Sequence, residues 1–165
     1  MNTPTLIILM GLPGSGKSYV SDYIRQKYGY SILSGEEITI QLFGNEKVSG
    51  KKYAQVYKVI RQKASELLSQ GKSVVIDGTN LKQMFRQQIY DEVSCDSMKL
   101  INLKVDDKIS LDRISKRENS CSVETYNNFK NQIEEPHPFE KAIILESDDR
   151  LLDNIDEIIK NNKNQ

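Results

Sequence analysis

Short apolar runs punctuate the chain, each cut off by glycine or polar residues. Residues 5–10 (TLIILM) form an unbroken apolar run that meets glycine at once, and residues 73–77 (SVVID), 98–105 (MKLINLKV) and 142–147 (AIILES) repeat the signal. Such runs predict strands buried on both faces. YSIL, at 30–33, is a weaker fifth. Between them the apolar period changes to that of a helix. Val20, Ile24 and Tyr28 make one stripe; Tyr53, Tyr57, Ile60, Ala64, Leu67 and Leu68 make a longer one, with Gly71 placed to stop it. Phe85, Ile89 and Val93 make a third, and Leu151, Leu152, Ile155, Ile158 and Ile159 close the chain. Strand alternating with helix predicts crossover units and a mostly parallel sheet covered on both faces. No repeat or linker interrupts the pattern. One domain is expected over 1–160, with the polar end KNNKNQ (160–165) frayed from about residue 161.

Composition narrows this further. At 165 residues the chain is the size of one domain with one core. Its 23 basic and 23 acidic residues cancel, which excludes a global field drawing it onto nucleic acid but leaves room for a local basic rim. Cys95 and Cys121 have no metal-ligand spacing, and a reduced cytoplasmic protein is expected. The apolar opening has no basic flank and is too short to cross a bilayer, so no membrane partner is expected.

The chemistry begins at GLPGSGKS, residues 11–18, which fits the P-loop pattern with Gly11, Gly16, Lys17 and Ser18 in the fixed positions. Glycines let consecutive backbone N–H groups curl around a phosphate, and the following helix aims its positive end at the same point. The candidate nucleotide-binding set is Gly11, Pro13, Gly14, Ser15, Gly16, Lys17, Ser18 and Tyr19. Lys17 is placed to reach the β- and γ-phosphates, and the Ser18 hydroxyl to reach Mg²⁺. ATP is the expected nucleotide, with GTP the other candidate. A GTPase needs an Asn-Lys-x-Asp motif, and NLKVDD (102–107) misses it because Leu103 precedes Lys104. A motor ATPase needs more chain to harness hydrolysis. A small kinase, with acceptor site and lid in one domain, is the remaining class.

GLPGSGKS, then SGEEI, VVIDGTNL (74–81), RISKR (113–117) and SVETYNNFKNQIEEP (122–136) come in an order that resembles the polynucleotide-kinase-like branch of P-loop kinases. That branch includes phage and bacterial 5′-hydroxyl kinases and predicted small AAA-type kinases, with zeta toxins and small-molecule phosphotransferases as more distant relatives. The resemblance covers roughly residues 5–147. It implies a three-layer α/β/α fold, a five-stranded parallel sheet in the order 2-3-1-4-5, and a small helical lid at about 113–135. The implied activity is an ATP- and Mg²⁺-dependent transfer of the γ-phosphate to a hydroxyl. The best single expectation for the acceptor is the 5′-OH end of a polynucleotide; a nucleoside, sugar or antibiotic is the alternative. A nucleotide-binding regulatory module with weak hydrolysis is the reading from another class.

The resemblance also assigns residues. Glu36 takes the position of the family's aspartate base, beyond the second strand and opposite the phosphates. A phosphoryl acceptor needs such a base, because lysine and metal already serve the charged side. Glu37, or a plain helix-start carboxylate, are the competing readings of SGEE. Gly35 and Thr39 depart from the family, which has arginines there. Asp77, ending an apolar strand before Gly78, Thr79 and Asn80, is the second candidate Mg²⁺ ligand beside Ser18; a turn-forming Asp-Gly is its bland reading. Arg113 and Arg117, four apart on one helical face, are expected in the lid. Arg113 would contact nucleotide and Arg117 would act on the transferring phosphoryl, with a solvated basic turn as the alternative. Arg86 is read either as an acceptor contact or as a solvated helix charge, and His137, between prolines, as an ordinary loop residue. Lys51, Lys52, Lys58, Arg61 and Lys63 read as a solvated face or a nucleic-acid surface.

Overall fold

The structure is a computed structural model that describes residues 3–118 and 120–162. Five strands form one wholly parallel sheet: β1 (Thr5–Met10), β2 (Ser31–Ser34), β3 (Val74–Asp77), β4 (Ser97–Lys104) and β5 (Ile143–Glu146), in the spatial order β2-β3-β1-β4-β5. This is the expected order. Ile8 of β1 pairs in register with Ile76 of β3 on one side and Leu100 of β4 on the other. The central strand is therefore apolar all round, and every residue from Thr5 to Met10 is buried.

Alternate residues of these strands build two cores. Leu6, Ile8, Met10, Val74, Ile76 and Leu100 pack against α3 (Lys51–Ser69) and α4 (Gln83–Glu92). Ile7, Leu9, Val75, Ile101 and Leu103 pack against α1 (Lys17–Tyr28) and α7 (Leu151–Asn162). Each such side chain, fully buried, contributes about 1.5–3 kcal/mol. The helical stripes fall where expected, and α3 stops where Gly71, at φ +77°, lets Lys72 N–H reach back to the Leu67 carbonyl at 3.0 Å.

Three expectations need correction. The AIILES strand is not buried on both faces: it is the sheet edge, and Ile144 is 60% exposed while Leu145 packs on the α1/α7 side. The end of the chain does not leave its helix at 160, because α7 runs to Asn162; residues 163–165 lie outside the described residues. Arg61 is not part of a solvated face, since it lies against Glu92 at 2.6 Å and Gln88 at 3.0 Å and is nearly buried.

The remaining elements surround the carboxyl end of the sheet. They are α2 (Gly35–Phe43), α5 (Asp107–Ser115), α6 (Val123–Gln132) and a 3₁₀ turn, Pro138–Glu140. In open parallel sheets ligands sit there, where successive connections leave in opposite directions. No helix among the described residues is long and apolar enough to cross a membrane.

Candidate functional site

A cavity of about 590 Å³ opens at this end of the sheet, within the size range of small-molecule sites. The loop after β1 forms one wall. Gly14, at φ +79°, is packed so closely that a Cβ would meet the Ser110 carbonyl oxygen at 2.7 Å. Gly16 caps α1 at φ +98°, a left-handed conformation that costs glycine little. No side chain caps α1, and no acidic residue stands in its first turn, so its leading N–H groups face the loop uncovered by carboxylate. That is the electrostatic requirement for a phosphate cradle.

Lys17 lies inside this loop, its Nζ donating to the Leu12 carbonyl at 2.9 Å and lying 3.4 Å from Ser15 Oγ. Burial pushes its pKa down to about 8; Asp77 pulls the other way, and Arg117 adds to the lowering. Asp77, at the end of β3, accepts from Ser21 Oγ at 2.8 Å. Ser21 lies one turn beyond Ser18 on the same face of α1, and its role was missed in the sequence, where only that three-residue spacing signals it.

Asn80 locks the floor. It holds φ +47°, and its Nδ2 donates to the Leu9 carbonyl at 2.6 Å while its Oδ1 accepts from the Tyr57 hydroxyl at 2.9 Å. Tyr57 in turn stacks flat on Phe85 with ring centroids 4.3 Å apart. The Gly11 N–H donates to the Thr79 carbonyl at 3.2 Å, tying the start of the phosphate loop to the same turn. The sequence quotes this Asp-Gly-Thr-Asn turn, but the partner of Asn80 lies 23 residues earlier and has no local signal.

The two glutamates separate. Ser34 caps α2 by accepting from the Glu37 N–H at 3.2 Å, so Glu37 stands at the third position of the helix and does not line the cavity. Glu36 does line it, facing the same space as Lys17, Ser18, Asp77 and Arg117. Thr39 also lines it, its hydroxyl donating to the Gly35 carbonyl at 2.6 Å.

The arginine pair separates too. The expectation of one helical face is corrected: α5 ends at Ser115, and Arg117 lies just past it in a turn closed by its N–H on the Ile114 carbonyl at 3.2 Å. Arg117 lines the cavity, whereas Arg113 donates from Nη1 to the Gly14 carbonyl at 3.0 Å and lies 3.2 Å from Ser147 Oγ. Of the loop residues, Pro13, Gly14, Gly16, Lys17 and Ser18 line the cavity; Gly11 and Ser15 stand behind them, and Tyr19 is 60% exposed outside it. Arg86 fits neither of its readings. It is fully buried in an ion pair with Glu140 at 2.7 Å, and it donates to the carbonyls of Asn80, Leu81 and Glu134. His137 caps the 3₁₀ turn beside this pair.

The donor set near the loop is all oxygen, the Ser18 hydroxyl and the Asp77 carboxylate. Mg²⁺ takes such hard ligands together with substrate phosphates and water. Among the described residues no group of three or more His, Cys, Asp or Glu is arranged to hold a metal by itself.

Comparison with known proteins agrees with this geometry. In solved structures the fold is similar to a sugar kinase from Janibacter sp. HTCC2649, with TM-score 0.73 and 17% identity over 87% of this chain and 86% of that one. It is similar to a gluconokinase from Sinorhizobium meliloti 1021, with TM-score 0.71 and 17% identity over 93% and 88%. A chain of the Pnkp1/Rnl/Hen1 RNA repair complex is similar at TM-score 0.64 and 23% identity, over 80% of this chain and 43% of that one. At these identities the likeness establishes a P-loop kinase-type nucleotide-binding fold and nothing finer. No curated protein matches the sequence. A family model described as an AAA domain matches residues 6–136, most of the chain, and the protein belongs to that family, AAA_33.

Proposed function

We propose that the protein is an ATP- and Mg²⁺-dependent kinase in which Glu36 takes the proton of an acceptor hydroxyl. The observation that carries this is the shared cavity: Glu36 lines it from α2, while Lys17, Ser18, Asp77 and Arg117 line it from the phosphate side. The triphosphate lies along the Gly11–Ser18 loop, with Lys17 charge on its outer phosphates. Ser18 and Asp77 would hold Mg²⁺, which would supply positive charge against the transferring group. The acceptor oxygen attacks the γ-phosphorus, the bond to the ADP oxygen breaks, and the acceptor proton passes to the Glu36 carboxylate. Arg117 meets the charge that develops on the moving phosphoryl. GTP serves as donor if the base is read loosely. Free thiols at Cys95 and Cys121 suit a reducing cytoplasm.

For the acceptor, likeness to the Pnkp1 fold supports the polynucleotide 5′ end, and likeness to the sugar kinase and gluconokinase folds supports a small molecule. Gly35 and Thr39, where the polynucleotide kinases that the sequence resembles carry arginines, favour the small molecule. They also support the second reading, a nucleotide-binding module with weak hydrolysis.

Glu36→Gln tests the proposal. It should bind ATP as wild type does yet lose about 10²- to 10⁴-fold in transfer, with Glu37→Gln mild. Transfer by Glu36→Gln at the wild-type rate would remove the base.

A further inference from the structure

The acceptor half of the cavity differs in kind from the phosphate half. Its wall is Ile40 of α2 with Tyr53, Val56, Tyr57 and Ile60 of α3. Tyr53 stands one turn before Tyr57 on the same face of α3, half-buried, and burial pushes its phenol pKa up, so it stays a neutral donor.

No cation stands on this wall. Among the described residues lining the cavity, only Lys17 and Arg117 are basic, and both belong to the phosphate side. The neighbouring cations are engaged elsewhere: Arg86 with Glu140, Arg61 with Glu92, and Lys52 with Glu46. Glycine at 35 offers no side chain, although a Cβ there would make only ordinary contact, 3.6 Å from the Asp77 carbonyl. The Thr39 hydroxyl donates its proton to its own helix. Three carboxylates, Glu36, Asp77 and Glu118, line the same cavity. An anionic group bound on this wall would lose its water and gain no positive partner, a desolvation cost that binding does not recover. A flat or apolar face laid on Tyr53 and Tyr57 would instead bury surface at little cost.

We infer that the acceptor is an alcohol carrying no anionic group and one flat or apolar face, of about nucleoside size, seated on Tyr53 and Tyr57 with its hydroxyl at Glu36. This rests on the kinase reading above and excludes the phosphorylated strand of a polynucleotide end.

The test uses γ-labelled ATP with adenosine and uridine, the same nucleosides bearing a 3′-phosphate, and a dinucleotide with a free 5′-hydroxyl. All share a free 5′-hydroxyl, and mapping the labelled phosphate to that oxygen in each product restricts the comparison of nucleoside and 3′-phosphate to the added charged group. The neutral nucleosides should be turned over with kcat/KM about tenfold or more above their 3′-phosphates, the effect of one unpaired buried polar group. Tyr53→Ala should raise the acceptor KM about fivefold or more with KM for ATP unchanged, while Tyr53→Phe, which keeps the ring, stays near wild type. A preference for the 3′-phosphates or the dinucleotide overturns the inference. So does an equal loss in Tyr53→Phe and Tyr53→Ala, or no transfer to either nucleoside by protein that phosphorylates the 3′-phosphates or the dinucleotide. Transfer to none of these alcohols, charged or neutral, overturns the kinase reading instead.

Discussion

Ser21 Oγ donates a 2.8 Å hydrogen bond to Asp77 Oδ2, joining the helix after the phosphate loop to the end of the neighbouring strand across 56 residues of sequence. Both groups are buried, so the bond fixes the carboxylate's orientation, as a ligand of the proposed Mg²⁺ would require. One side chain thereby couples the helix that follows the phosphate loop to the carboxylate proposed above as a Mg²⁺ ligand.

Ser21→Ala should leave Asp77 in place but free to turn. The concentration of Mg²⁺ needed for half-maximal rate should rise about 10- to 100-fold. The thermal shift given by ADP with Mg²⁺ should shrink, while the shift given by ADP alone should not. Titration of Mg²⁺ in rate and melting assays checks both, and equal behaviour to wild type would make the bond purely structural.

The lowered pKa of Lys17 gives nucleotide binding a pH dependence. Below about 8 the ammonium is charged in the free protein; above it, binding a polyanion must first recover a proton. ATP affinity should therefore fall as pH rises through 8, with proton uptake on binding at pH 8.5–9 and none at pH 6.5, on the order set by that pKa. Calorimetry in two buffers of different ionisation enthalpy measures the uptake. Lys17→Met should remove it.

Arg113 and Arg117 should give different kinetic signatures. Arg113 holds the Gly14 carbonyl and so shapes the empty loop as much as the filled one, which puts its effect on ATP binding. Arg117 faces the cavity with no side-chain hydrogen bond to another described residue, and in the proposed reaction it meets charge that grows during transfer. Arg117→Ala should lower kcat by about 10²-fold with KM for ATP little changed, and Arg113→Ala the reverse. Steady-state kinetics on both decides it.

Arg86 should matter for stability rather than turnover. Arg86→Ala leaves Glu140 buried and uncompensated, at a cost of about 3–5 kcal/mol. Arg86→Lys should rescue little, because one ammonium does not reproduce the planar set of bonds to Glu140 and three carbonyls. Glu140 is partly desolvated, which pushes its pKa up, but the bonds from Arg86, Tyr90 and the His137 N–H outweigh this and hold it below the ordinary value. Its contribution is present above the unfolded pKa of about 4.5 and is lost as pH falls through the lower folded one, so wild type but not Arg86→Ala should lose this increment in acid. Urea melts at neutral and acid pH report the difference.

The elements were legible because their signals are local, while the strand order came with the family resemblance. TLIILM, SVVID and the four-residue helical stripes each declare their element within a dozen residues, and GLPGSGKS names its own loop. What escaped is what depends on distant partners. Nothing around Arg86 announces Glu140, 54 residues on, so one half of a buried ion pair reads in the sequence as an acceptor contact or a solvated helix charge. The strand AIILES reads as buried on both faces because its residues are apolar; exposure depends on what packs over each face, which composition does not encode. The resemblance favours Glu36 over Glu37, and the structure supplies the physical difference: Ser34 caps the helix at Glu37, while Glu36 lines the cavity.

The unpaired edge at β5 has a consequence for how the protein behaves in a crowded solution. Its outer row of N–H and C=O groups is a template on which another strand can grow, and Ile144 beside it offers that strand an apolar footing. Two features limit the danger. The strand is only four residues long, and it ends in the carboxylate of Glu146. Self-association through this edge is thus held to a short ladder with a charge at one end.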